Sequence, residues 1–280
     1  MAKSRSLVWL LSCLLAMPVQ GDSDKVLGVS PWTSGQLLQA WMQPVLKHLE
    51  RETGYNYQFK SAPSLNDYLV RVVEDEFDLI MIPMHMGLFL KEQFRFKPLM
   101  FVRSDVNVML VTHMDSMYKN LADLNGADIH MADPISIAGF FTEGFLEKNN
   151  IVFNKRYFGH HWKLTDGLIK REIAVAPIVN NHIKQKNGKT SDQLNILHLF
   201  PEKLDGIMLL PPQAPTSEMK KLQAVLSVFR PSDHSMITKI EPVSKIELQE
   251  WHKMMSKYFP KMKSRIKSLH PDFSKKVGWK

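Results

Sequence analysis

The chain has one cysteine, Cys13, in 280 residues. It lies inside an apolar run near the N-terminus, so the body of the chain can form no disulfide and offers no thiol as nucleophile or metal ligand. A core of side chains must hold the fold unaided. The glycine-rich and hydrolytic signatures are missing too: no P-loop, G-x-G-x-x-G, G-x-S-x-G or H-E-x-x-H occurs in the sequence. That removes the best-marked nucleotide-binding, ester-hydrolysing and zinc-protease classes. Binding without catalysis is the expectation, and a secreted hydrolase ranks a distant third. Beyond Met17 no apolar run is long enough to cross a bilayer, and there is no internal repeat or low-complexity tract.

What is present begins with Lys3 and Arg5, an apolar run from Leu7 to Met17, and then small or polar residues. This is the pattern of a secretory signal peptide over residues 1–21, with Val19 and Gly21 as the small side chains that a signal peptidase accepts. Leu10-Leu11-Ser12-Cys13 resembles a lipoprotein cleavage box, but the apolar run continues past the cysteine, so Cys13 is expected to leave with the signal. The formal charge of +8 is unevenly spread: +2 in residues 1–21, +7 in residues 245–280 and −1 in all the rest. Basicity belongs to the tail, which is read as solvated surface with contact to anionic lipid as a minority reading. It gives no reason to expect nucleic acid as a partner.

The body alternates strand and helix patterns. Lys25–Val29 is a short β-rich run, and residues 35–51 repeat apolar residues at helical spacing through Leu37, Leu38, Trp41, Val45, Leu46 and Leu49. "YNYQFK" is read as a strand, residues 64–74 as a helix capped by Ser64, and "FDLIMIP" as a buried strand closed by Pro83. Two successive strand–helix–strand units imply a parallel sheet with helices on its faces. After Pro98 come a long β-rich stretch, a helix over 117–124, the strand "ADIHMAD", a helix to Lys148, a strand near Tyr157, a helix over 164–170 and the strand "EIAVAPIV". Long β segments at about 99–112 and 194–210 are expected to join two lobes as crossover strands. Ser244 and Glu247 form a capping box opening a helix that carries Trp251, Met254 and Met255, with Tyr258 and Phe259 beyond, and its apolar face is expected to pack on a lobe.

Three stretches in order, "LGVSPWTSGQLLQAW" onward to "FDLIMIP", "LADLNGADIHMADPISIAGFF" and "YFGHHWKLTDGLIKREIAVAPIV", together resemble the phosphate/phosphonate-type periplasmic substrate-binding proteins of ABC importers, over about residues 26–230. The resemblance implies an α/β, two-lobed type II periplasmic-binding fold: mixed sheets flanked by helices and joined by two crossover hinge strands. Residues 22–105 and 205–280 would form lobe 1 with the basic helical tail, and residues 106–204 lobe 2. It implies a periplasmic monomer without catalytic activity or cofactor, capturing an oxyanion or phosphonate-like ligand for an ABC permease. A sensory module signalling to a receptor kinase is the alternative. The family's hydroxyl-rich anion turn falls on Ser136, Ile137 and Ala138, which keep one hydroxyl of three. Its two cleft tyrosines fall on Leu65 and Met86, its second-lobe acid on Ala174, and its loop histidine on His161 or His160. These departures remove polar partners worth roughly 1–3 kcal/mol each to a desolvated oxyanion. A weakly charged or partly apolar ligand is therefore expected, with poor binding of inorganic phosphate.

The same loops are rich in methionine and histidine: "PMHM" at 83–86 holds His85 and Met86, "HM" stands at 130–131, and "GHHW" at 159–162. Thioether and imidazole donors suit a soft ion such as Cu(I), though in a chain with 17 methionines the same residues serve as adaptable packing, the favoured reading, and no metal is expected. Trp32, beside Pro31, can stack on a ligand or staple the following helix.

Overall fold

A computed structural model describes residues 24–180, 191–231 and 236–279. The signal peptide expected over residues 1–21 lies outside them. Strand β1 (Lys25–Val29) leads into α1 (Gly35–Thr53), whose buried Leu38, Met42, Val45 and Leu49 recur at the helical period. The helix stops at Gly54, which takes a left-handed φ of 77° and returns its N–H to Glu50 O. Strands β2 (Tyr57–Lys60) and β3 (Leu79–Pro83) pair in parallel on either side of β1, as two βαβ units require. Between them α2 (Leu65–Val73) is capped as expected, Ser64 Oγ accepting the Asp67 N–H at 3.0 Å.

Directly after β3 the chain turns into α3 (Met84–Phe94), where the sequence reading has a loop. Residues 84–90 of this helix are all buried, so no polar stripe marks its period. Gly87 lets it approach the sheet, because a Cβ there would stand 2.1 Å from Ile207 Cγ2.

The β-rich stretch after Pro98 is two strands, β4 (Lys97–Ser104) and β5 (Asn107–His113), which belong to different sheets. The helix expected over 117–124 shrinks to one 3₁₀ turn, Leu121–Leu124, ended by Gly126 at a φ of 78°. Then follow β6 (Asp128–Met131), α4 (Ile137–Lys148), β7 (Asn154–Tyr157), α5 (His161–Ile169), β8 (Val175–Val179), β9 (Leu194–Lys203), β10 (Gly206–Leu210), α6 (Thr216–Ser227) and β11 (Ile237–Pro242). The chain closes with α7 (Lys245–Met255), α8 (Phe259–Leu269) and α9 (Pro271–Lys276).

A six-stranded mixed sheet has the order β11-β4-β10-β3-β1-β2, and a five-stranded one the order β7-β6-β8-β5-β9. The chain leaves the first sheet between β4 and β5 and returns between β9 and β10. The two crossings lie side by side: Leu204 N–H donates to Val106 O at 2.8 Å, Ser104 Oγ to Leu204 O at 3.0 Å, and Ser104 N–H to Asp205 Oδ1 at 3.0 Å. One apolar cluster lies under α1 and α6 and includes Leu27, Leu38, Met208 and Leu226. A larger one runs from Ile82 and Phe89 through Val108 and Phe140 to Tyr258, Met262 and Ile266, so the C-terminal helices share a core with both sheets.

Candidate functional site

Between the two sheets lies a cavity of about 80 Å³, room for several waters or one small molecule. It sits where the C-terminal ends of β1 and β3 meet the first turns of α2, α3, α4 and α5, the edge at which α/β sheets commonly bind ligands. Most of its wall is apolar. Val102 and Val106 stand at one crossing, Ile137 and Phe141 come from α4, and Trp251 and Met255 come from α7.

Of the residues read from the sequence as ligand contacts, Trp32, Leu65, His85, Ser136, Ile137 and His161 border this cavity. Met86 and Ala138 do not; both are fully buried in the large core cluster. Successive helical residues point about 100° apart, so with His85 and Ile137 turned to the cavity their neighbours Met86 and Ala138 turn into the packing. Met131 is packed in the same cluster and Ala174 lies against it, whereas Met84 borders the cavity. Among the described residues no group of three or more His, Cys, Asp or Glu is placed to hold a metal ion. The sequence reading did not assign Trp251 and Met255 to the site. The signal it had was the apolar face of a capped helix, which shows that the helix packs but not where.

The polar groups of the wall are few and specific. His85 is 1% exposed, and its Nε2 lies 2.9 Å from Ile135 O, which can only accept, so Nε2 carries the proton. Burial pushes the imidazole pKa down to about 4 against the weaker effect of that hydrogen bond, and the ring is neutral at pH 7. Its Nδ1 is a buried acceptor without a protein partner, and Trp32 Nε1–H is a buried donor in the same situation. Ser136 caps α4, its Oγ accepting the Gly139 N–H at 3.1 Å, which occupies one lone pair of the hydroxyl oxygen. Among the described residues the only lysine or arginine bordering the cavity is Lys203, whose Nζ donates to Asn107 Oδ1 at 3.0 Å.

Just outside the cavity, Asp133 precedes the α4 turn and reaches across to the first turn of α2. Its Oδ1 accepts from Asn66 Nδ2 at 3.0 Å and from Ile135 N–H at 2.9 Å, and the Leu65 N–H also donates to this carboxylate. The Leu65 N–H at the α2 N-terminus, one of the donors an anion there would use, is thus met by the chain's own carboxylate. Burial raises its pKa to about 6, opposed by those hydrogen bonds and assisted by nearby Asp67.

These two groups give opposite dependences on pH. The Asp133 carboxyl, raised from 3.8 to about 6, favours the folded state while protonated; that advantage is complete below about pH 4 and is lost as pH rises through 6. His85, lowered from 6.5 to about 4, contributes fully above about pH 6.5 and loses its contribution as pH falls toward 4. Replacing Asp133 with Asn removes one slope and leaves the other. Urea unfolding at pH 6.5, 5.5 and 4.5 is expected to show stability falling more steeply toward acid in the variant than in the unchanged chain. The extra slope approaches, at most, about 1.4 kcal/mol per pH unit. Parallel profiles would contradict this account.

The C-terminal helices bind both sides of the cavity together. Glu143 of α4, with a side chain 1% exposed, receives Arg265 Nη2 at 2.7 Å on each carboxylate oxygen, with Lys155 at 3.5 Å and Lys261 at 3.6 Å. The same guanidinium lies 5.0 Å over the Phe140 ring, which stacks on Tyr258 at 5.1 Å. Phe259 meets Phe89 of α3 edge-on at 5.7 Å, so the segment after α7 touches helices on both sides.

Residues 27–246 match the family described as ABC transporter, phosphonate, periplasmic substrate-binding protein. The chain belongs to this family. Its members bind small ligands in the periplasm and deliver them to an ABC permease. Among solved structures, a binding protein component of an ABC phosphonate transporter from Pseudomonas aeruginosa aligns with a TM-score of 0.70 at 14% identity, covering 91% of this chain and 96% of that one. PhnD1 from Prochlorococcus marinus, in complex with methylphosphonate, aligns at 0.68 and 14% identity over 84% and 98%. The aliphatic sulphonate binding protein SsuA from Escherichia coli aligns at 0.65 and 11% identity over 85% and 92%. These likenesses establish the type II periplasmic-binding fold, with mixed sheets flanked by helices. No curated relative matches the chain by sequence. The family match stops at residue 246, so Trp251, Met255 and the Arg265 contacts lie beyond it.

Proposed function

We propose that this phosphonate-type binding protein captures one small solute in the cavity between its two sheets, as a monomer in the periplasm, and presents the closed form to an ABC permease. The observation that carries the reading is the placement of the cavity: it is bordered by both sheets' helices and lies against two adjacent chain crossings, Ser104–Val106 and Leu204–Gly206. Segments as short as these absorb a hinge rotation with a few φ/ψ changes, and the solute stabilises closure by the difference between its contacts in the closed and open forms. Residues 22–105 and 205–280 would move as one lobe and residues 106–204 as the other.

Small-angle scattering tests this. Chain lacking residues 1–21 is unfolded in guanidinium, dialysed free of small molecules and refolded. It is expected to show a larger radius of gyration than the chain as isolated, and the low-mass fraction removed by dialysis should restore the smaller value. An identical radius in all three samples would count against capture by closure.

A further inference from the structure

We propose that the solute is an uncharged molecule with a short apolar body and one polar group that both donates and accepts a hydrogen bond, such as a primary amide or an alcohol, read by His85 Nδ1 and Trp32 Nε1–H. This rests on the cavity being the solute site. Both atoms are buried without a protein partner in residues that border the cavity. A buried donor or acceptor left unmatched costs about 1–3 kcal/mol, a cost that a complementary ligand removes. One is a lone pair and the other an N–H, so matching both takes one donor and one acceptor from the solute. A carboxylate or a fully ionised phosphonate only accepts, so it meets the tryptophan alone and presents its charge to the imidazole lone pair.

The surroundings select against an anion for independent reasons. Asp133 has taken the Leu65 and Ile135 N–H groups and Asn66. Lys203 is held by Asn107, at an end of the cavity that also holds Asp205. Arg103, the nearest guanidinium along β4, is saturated by Asp205 at 2.8 Å, Glu241 at 2.6 Å and Glu247 at 2.7 Å. A cation fares no better, since among the described residues the carboxylate bordering the cavity, Asp205, is bound to Arg103. The Val102, Val106, Ile137 and Phe141 surfaces receive the apolar body.

The test titrates three probes of similar bulk, isobutyramide, isobutyrate and methylphosphonate, into ¹⁵N-labelled chain lacking residues 1–21, freed of small molecules as above. The indole N–H resonances of Trp32 and Trp251 are followed, with Trp32 assigned by its loss in Trp32→Phe. Isobutyramide is expected to bind saturably and to shift the Trp32 indole N–H. Trp32→Phe, which keeps an aromatic ring at the position and deletes the donor, should weaken it roughly five- to tenfold. His85→Phe should weaken it similarly; because His85 also holds Ile135, the tryptophan variant carries the conclusion should the histidine variant fail to fold. Tighter binding of isobutyrate or methylphosphonate, with the same indole signals moving, would overturn the uncharged class and leave solute capture standing. Indole signals unmoved by all three probes would overturn this assignment and leave solute capture to the scattering test.

Discussion

Replacing Arg265 with methionine is expected to destabilise the chain by about 3 kcal/mol, the lower end of the cost of breaking a buried ion pair. The reason is what remains behind. Glu143 is buried, and its two closest charge-assisted hydrogen bonds, both 2.7 Å, come from this one guanidinium. Lys155 and Lys261, 3.5 and 3.6 Å away on flexible stems, compensate in part and keep the loss from the upper end of the range. The methionine retains much of the packing over Phe140, so the loss reports the charge together with the hydrogen bond from Arg265 Nη1 to Pro134 O. Adding Glu143→Gln removes the stranded carboxylate, and the double variant should recover more than half of the loss. Urea unfolding of the two single variants and the double variant measures the coupling. A single-variant loss below 1 kcal/mol would show that the C-terminal helices do not anchor to α4 through this pair.

The second large effect is a gain. Methylphosphonate is expected to bind the unchanged chain weakly at pH 7.5, where the Asp133 carboxylate is ionised beside the α2 N-terminus. Asp133→Asn combined with Ile137→Thr removes that charge and returns one hydroxyl to the α4 turn. A unit charge within a few ångströms at the dielectric of a protein surface is worth several kcal/mol, so the affinity should rise on the order of a hundredfold. Lowering the pH from 7.5 to 5 should strengthen methylphosphonate binding to the unchanged chain, by protonating Asp133, more than to the variant. Calorimetry at the two pH values checks both statements. An affinity that stays the same after the double change would show that Asp133 does not exclude anions. Adding Ala138→Ser is expected to bring nothing further, because residue 138 faces the core and not the cavity.

The parts of the fold legible in the sequence were those where one face is wet. The α1 stripe, the Ser64 cap and the Ser244 cap all carry a polar contrast that sets period and boundary, and each stands where the residues place it, although the Glu247 carboxylate pairs with Arg103 and does not close the capping box. Helix α3 was not legible, because Met84 to Leu90 are buried on every side and the run lacks the contrast that separates helix from strand. The long β stretches at 99–112 and 194–210 read as continuous because the breaks are two residues each, Asp105–Val106 and Leu204–Asp205, while the change of sheet is a property of topology. The site was legible to the extent that the family's turns mark loop positions. Trp32, Leu65, His85, Ser136, Ile137 and His161 share one cavity, whereas Met86 and Ala138 show that a correct loop does not give the direction of each side chain. Asp133 stands just before Ser136 in the sequence. What its sequence neighbours did not reveal is Asn66, 67 residues away, and with it the reach of a second-sheet carboxylate to a first-sheet helix.

The most direct measurement is the identity of the molecule held by the chain itself. Protein purified from its own host under mild conditions is examined intact by native mass spectrometry, then denatured, and the released low-mass material is identified. The account predicts one small molecule per chain, uncharged at neutral pH and carrying an amide or hydroxyl group, with less of it retained by Trp32→Phe. A phosphonate, sulfonate or phosphate released in stoichiometric amount would contradict the uncharged solute. A chain that carries nothing, and whose mass is unchanged on incubation with the low-mass extract of the same cells, would contradict solute capture.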